Sequence, residues 1–155
     1  MYIDFIDLPS VPEELLESYD TILAKPPLDV GNYQGKVVQI TSIQRRAVNE
    51  DLKNWLRSNC QFPVFAQYLL LNSDSPVHRD PPMRPQAYNY IIYPGGPSVT
   101  TTVYNNDYSI LKSMIIPERQ WHCLDSGKLH NVQGILKNTW RILLSVDYRP
   151  GAPGW

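Results

Sequence analysis

The first residues able to do chemistry together are His78-Arg79-Asp80. On an extended segment, residues two apart project to the same side, so the His78 imidazole and the Asp80 carboxylate can converge on one point. An imidazole with a monodentate carboxylate is two-thirds of the 2-His-1-carboxylate face that holds non-haem Fe(II) and leaves positions open. The chain has three histidines, so the missing ligand comes from a distant strand, and His130 is placed for it, opening a strand after a Gly-containing turn. His122 competes. His130 is preferred because Arg141 then follows the last ligand closely, whereas His122 leaves a longer gap. Alone, His-x-Asp is a weak motif and reads equally as a loop histidine beside an acid; the later histidine and the arginine change that balance.

Arg141 lies early in Trp140-Arg141-Ile142-Leu143-Leu144-Ser145-Val146-Asp147-Tyr148, a strongly β-prone run. Its even positions, Trp140, Ile142, Leu144, Val146 and Tyr148, are large and apolar and must pack, which puts Arg141 on the other face with Leu143, Ser145 and Asp147. An arginine pointing into a β core is costly unless an anion receives it. Either a protein carboxylate does so, or a planar guanidinium grips a ligand carboxylate bidentately.

The elements that must position these groups are mostly short strands. Ser10-Val11-Pro12-Glu13 has capping-box spacing and predicts a helix from about Pro12 to Ala24, stopped by Pro26-Pro27. Lys36 to Ile43 reads as a strand. Asn49 caps a helix through Asn59 that buries Leu52, Trp55 and Leu56. From Phe62 onward, strand-like runs recur: Phe65–Leu71, Ala87–Tyr93, Val99–Tyr104, Ser109–Ile116, Gln120–Leu124, His130–Ile135 and Thr139–Tyr148. Turns rich in Pro, Gly, Asn and Asp separate them. The expectation is a mainly β (α+β) chain, a sandwich, jelly roll or barrel with short helices on the N-terminal side. We read one domain over 1–155, with helices and a supporting strand in 1–61 and the β core in 62–150.

Composition narrows the function. A chain of 155 residues, 43% hydrophobic and 19% charged, is globular and able to build a core without staples. Its 14 prolines exceed the typical ~5% and disfavour long helices. A net charge of −1 argues against nucleic acid as a partner. Cys60 and Cys123 cannot make a disulfide framework or a four-thiolate zinc site, and we expect reduced, packed thiols. No apolar run approaches the ~18 residues of a membrane span, and the first residues lack a basic n-region. A soluble cytoplasmic protein without membrane partners is the expectation.

The same residues resemble the Fe(II)- and 2-oxoglutarate-dependent dioxygenases over about half of the chain, from Phe65 to Pro150. His78-x-Asp80, His130 and Arg141 stand at the family's separations. The stretch Trp121-His122-Cys123-Leu124-Asp125-Ser126-Gly127-Lys128-Leu129-His130-Asn131-Val132 is similar to the segment around the distal metal histidine in the aspartyl/asparaginyl and prolyl hydroxylase branches. Arg141 to Asp147 is similar to their last core strand. The resemblance implies a double-stranded β-helix (jelly-roll, cupin-like), with His78, Asp80 and His130 as catalytic metal ligands for Fe(II) and Arg141 on the far carboxylate of 2-oxoglutarate. It implies a hydroxylase that uses dioxygen on a small-molecule or peptide substrate, an amino acid or a peptidyl Pro, Asp or Asn side chain, and releases succinate and carbon dioxide.

The chain departs from the family at Leu143, where many members carry the hydroxyl of Arg-x-Ser. Ser145 is about 13 Å from Arg141 at ~3.3 Å per strand residue, too far to share one carboxylate. Tyr68 or Gln67 would then substitute, and Asn89 and Tyr90 are further candidates for cosubstrate contacts, each also readable as turn or packing residues. Arg84 either meets an acidic substrate group or is solvated. Tyr88, Tyr93, Tyr104 and Tyr108 either stack on a substrate ring or pack. Two other classes remain: a cupin-like metalloenzyme that does not use 2-oxoglutarate, and a non-catalytic β-sandwich binding module.

Overall fold

The computed structural model describes residues 2–28, 32–33, 36–37, 43–60, 65–80 and 87–147. The chain is mainly β. In chain order the elements are β1 (Ile3–Phe5), a 3-10 turn (Glu13–Leu15), α1 (Tyr19–Ala24), β2 (Asn32–Tyr33), β3 (Lys36–Val37), β4 (Ile43–Ala47), α2 (Glu50–Asn59) and β5 (Phe65–Leu71). There follow β6 (Ala87–Tyr93), β7 (Thr100–Tyr104), β8 (Ile110–Met114), β9 (Trp121–Leu124), β10 (Leu129–Gln133) and β11 (Arg141–Asp147). A large antiparallel sheet has the order β1-β9-β6-β11-β5-β4, and a smaller one β10-β7-β8. β2 and β3 pair with each other.

Strand β11 is central because its two-residue alternation suits both of its neighbours. Leu144 stands between Tyr68 and Tyr90, and Ser145 between Gln67 and Asn89. The first row belongs to a face where Ala66, Tyr68, Leu70, Tyr90, Ile92, Trp121, Ile142, Leu144 and Val146 pack with Leu52 and Leu56 of α2 and Ile22 of α1. The opposite face joins the two sheets: Ile3, Leu69, Leu71, Ile91, Leu124 and Leu143 pack with Val103 of β7 and Ile116, flanked by Met114 and Val132. Helices cover one face of the large sheet and the small sheet covers the other. Lys112 of β8 ties the two sheets, its Nζ donating to the Ile3 carbonyl at 2.8 Å.

The N-terminal elements differ from the expected single helix. Leu16 is extended (φ −80, ψ 127), which separates the 3-10 turn at Glu13–Leu15 from α1. Ser18 caps α1, its side chain accepting from the Thr21 N–H at 3.2 Å. Ser10 is not the cap: Pro12 precedes the 3-10 turn, and no side chain makes a cap hydrogen bond there. α2 forms as expected, with Asn49 Oδ1 accepting from the Leu52 N–H at 2.7 Å. The expected strand over 36–43 is also displaced. Its described start, β3, pairs with β2, residues 38–42 lie outside the described residues, and β4, which joins the large sheet, runs from Ile43 to Ala47. Its Gln44-Arg45-Arg46 core hid it from hydrophobic periodicity. No described helix is long and apolar enough to cross a membrane.

Leu144, fully buried between the sheet and its helical cover, should matter in proportion to the cavity its loss leaves. Leu144→Ala is expected to lower the unfolding free energy by about 2–5 kcal/mol in denaturant titration.

Candidate metal centre

The segment after β5 is stitched to β10 one residue at a time. Ser75 N–H donates to the Val132 carbonyl at 3.0 Å, and the Ser75 hydroxyl accepts from the Val132 N–H at 2.9 Å. Asp74 Oδ1 accepts from the N–H groups of Gly134 and Ile135. Gly134 has φ +93 there, and a Cβ would come within 2.7 Å of the Ser98 carbonyl oxygen. His78 and His130 then exchange both backbone hydrogen bonds, at 3.0 and 2.9 Å, as an antiparallel pair, and the Asp80 N–H reaches the Ser126 carbonyl. Arg79 donates from Nη2 to Asn106 Oδ1 and so ties the segment to the turn between β7 and β8.

This pairing brings the His78 and His130 rings to 4.4 Å between centroids. Asp80 Oδ1 lies 3.6 Å from His78 Nε2 and 3.5 Å from His130 Nε2. One ligand atom from each of the three residues falls within 4.8 Å of the others. Two ligands on one cation with bonds of about 2.1 Å stand about 3.0–3.4 Å apart, so contraction by a few tenths of an ångström closes the two measured pairs. The Nδ1 atoms are already engaged, with the Pro76 carbonyl at 2.7 Å from His78 and the Lys128 carbonyl at 2.8 Å from His130. Each ring therefore donates through Nδ1–H and turns Nε2 toward Asp80, so the carbonyl hydrogen bonds fix which ring nitrogen is left for a ligand. Burial disfavours the charged form of His78, but the Asp80 carboxylate and the Pro76 carbonyl outweigh it and raise the pKa.

His130 is in register with Val103, and Val103 belongs to the cluster between the sheets. The triad therefore looks toward the inner face of the large sheet. That face also presents Arg141, 2% exposed. Burial lowers its pKa to about 10, which leaves the guanidinium charged at neutral pH. Nη1 donates to the Pro94 carbonyl at 3.0 Å, while Nε is buried without a hydrogen-bond partner. Gly95, at φ +81, is pressed against Arg141, and a Cβ at Gly95 would sit 2.9 Å from the Arg141 Cβ.

Of the other expected site residues, Gln67 and Asn89 share this inner face, since they alternate with Leu69 and Ile91. Tyr68 and Tyr90 do not. Alternation turns both toward the helices, where the Tyr68 hydroxyl donates to Glu17 Oε2 at 2.9 Å and the Tyr90 ring meets Trp121 at 5.0 Å. The expectation of cosubstrate contacts from these two tyrosines is corrected accordingly: with Gln67 and Asn89 inside, their successors must face out. Arg84 lies outside the described residues. His122 is not in the metal-ligand group. It is inside nevertheless, 3% exposed and two residues from inward Leu124. Burial, followed by the Arg141 charge, lowers its pKa to about 4. Its two-residue spacing from inward Leu124 is the signal for this in the sequence. Cys60 and Cys123 are free thiols.

Two outcomes are expected. Fe(II) or Co(II) should bind by anaerobic calorimetry, His78→Ala or Asp80→Ala should weaken binding by about 100-fold or more, and affinity should fall with acid because bound imidazoles must be neutral. His122 has a separate signature. Its folded pKa of about 4 lies below the unfolded 6.5, so only the unfolded chain takes up this proton between those values. Stability should drop by about 3 kcal/mol as pH falls from 6.5 through 4, at 1.36 kcal/mol per pKa unit. His122→Leu should remove that part of the pH dependence in denaturant titrations.

Comparison of the chain with protein-family models, with curated proteins and with solved structures finds no match.

Proposed function

We propose that the chain is an Fe(II)- and 2-oxoglutarate-dependent dioxygenase that hydroxylates an amino acid or a peptidyl Pro, Asp or Asn side chain. One observation carries the reading: His78, Asp80 and His130 converge on a point facing a sheet interior that holds a buried guanidinium. The donor set suits the metal. Two neutral imidazoles and one carboxylate are the facial set of non-haem iron sites and leave room for further ligands. The buried Arg141 Nε without a partner suits a bidentate carboxylate. Among the described residues, no ion pair occupies Arg141.

Strand pairing supports a double-stranded β-helix. Counting the His78 segment as a strand, successive strands from β5 to β11 pair first with last, second with second-last and so inward: β5 with β11, the His78 segment with β10, β6 with β9, and β7 with β8. Such nested antiparallel pairing is what rolling one long hairpin into a jelly roll produces.

In this reading His78 Nε2, His130 Nε2 and Asp80 Oδ1 hold the iron. Arg141 receives the far carboxylate of 2-oxoglutarate and fixes the direction in which the diacid enters. Iron with 2-oxoglutarate and dioxygen supplies the oxidising power to insert oxygen into an unactivated C–H bond, with succinate and carbon dioxide as coproducts. The protein orients: three ligands are held on hydrogen-bonded backbone, and the charge receptor lies in a water-poor interior where its attraction for an anion is strengthened.

Anaerobic addition of Fe(II) and 2-oxoglutarate to the apoprotein should give the weak visible charge-transfer band of the chelate. Arg141→Ala should lower 2-oxoglutarate affinity at least about tenfold, the loss expected of a charged hydrogen bond, with iron affinity nearly unchanged. No band at saturating concentrations, or an unchanged cosubstrate affinity in the variant, counts against the assignment.

A further inference from the structure

A strand at the end of a sheet carries outer N–H and C=O groups that another strand can pair with, and proteins close or guard such edges. The large sheet ends on β1 and β4, the small sheet on β10 and β8. The His78 segment closes β10 through its bridge to His130. Pro27 and Leu28 close β4, Pro27 by a bridge to Arg46 and the Leu28 N–H by donating to the Arg45 carbonyl at 2.9 Å. β1 is guarded by its shortness, three residues with Asp4 in the middle. β8 is different. Among the described residues no strand lies beyond it.

The usual guards are missing from β8. The run from Tyr108 to Ile116 has no proline, and Lys112 is its one charged residue. That ammonium is turned inward onto the Ile3 carbonyl, so no lysine stands on the edge. The bulge opposite Val103 and Tyr104 falls at the Ile110 end, while Lys112, Ser113 and Met114 keep regular register with Val103, Thr102 and Thr101. Apolar side chains flank the open backbone on both sides, Ile110 at 63% exposed and Ile115 at 53%. The occupant is therefore a strand with apolar side chains. Charge then selects which one. A strand pairing antiparallel with its own copy about a two-fold axis meets itself, so each outward charge meets its like. β8 has no outward charge to oppose, whereas β4 carries Arg45 and Arg46.

We propose that a second copy of the chain docks on β8, pairing strand with strand antiparallel across a two-fold axis, so that the two small sheets become one continuous sheet. Ile110 and Ile115 shield the new hydrogen bonds from water. One strand edge with its flanking side chains is a smaller contact than the about 800 Å² per partner of a stable complex, so the dimer forms reversibly and with concentration. The metal ligands face the interior and take no residue from the second copy, and the inference does not depend on the dioxygenase reading.

The test is sedimentation equilibrium of the full chain over a range of concentrations up to about 1 mM, where a reversible monomer–dimer equilibrium is expected. Ile110→Lys and Ile115→Lys place charges at the junction and should each raise the dissociation constant about tenfold or more. Both positions are exposed, so the thermal unfolding of the monomer should be unchanged. Ser113→Cys, at the middle of the run, should cross-link two copies through position 113 on mild oxidation, as located by peptide mapping. A chain that stays monomeric at every concentration overturns the inference. If that monomer binds a free peptide of the sequence 108–116, the edge takes a foreign strand and not a second copy. A dimer that survives both lysine variants uses another surface, and a dimer that gives no link at position 113 is not paired antiparallel through β8; either result also overturns it.

Discussion

The reciprocal backbone hydrogen bonds between His78 and His130 are the constraint on which the site depends. Residues that exchange both bonds in an antiparallel ladder stand directly opposite and point to the same face. Two imidazoles so far apart in sequence are thereby placed side by side with no side-chain contact required. Asp80, two residues on, inherits the same face from strand geometry, held by its own N–H on Ser126. Two imidazoles and a carboxylate brought this close form a donor set of the kind that holds a divalent cation.

The large sheet answers a second constraint, because one strand must serve two environments. β11 turns Ile142, Leu144 and Val146 toward the helices and Arg141, Leu143 and Ser145 toward the small sheet. Apolar burial on the first face supplies the stabilisation that buried polar groups on the second do not. The Pro94 carbonyl then holds the guanidinium, while the bare Gly95 backbone lies against the Arg141 Cβ and main chain.

Much of this was legible in the sequence, for physical reasons. The strands from β5 to β11 are short, apolar and bounded by Gly, Pro, Asn and Asp, so their extents follow from local pattern. His-x-Asp and the alternation around Arg141 carried the faces of those residues directly. The N-terminal half was less legible because its elements are decided by tertiary contacts. Ser10 has capping-box spacing to Glu13, yet no side chain caps the turn there, and β4 is polar in sequence because it lies at the sheet edge. Tyr68 and Tyr90 are neighbours in sequence of the inward Gln67 and Asn89, so strand parity turns both rings toward the helices. The same parity rule, applied from Leu124 back to His122, would have put that histidine inside.

The two apolar clusters lie on opposite faces of one sheet, and the consequence concerns how the molecule can change. Repacking under α1 and α2 alters overall robustness through atoms on the face away from the triad, while substitutions on the inner face change the surroundings of the triad and leave the helical cover in place. Either side can drift without dragging the other along.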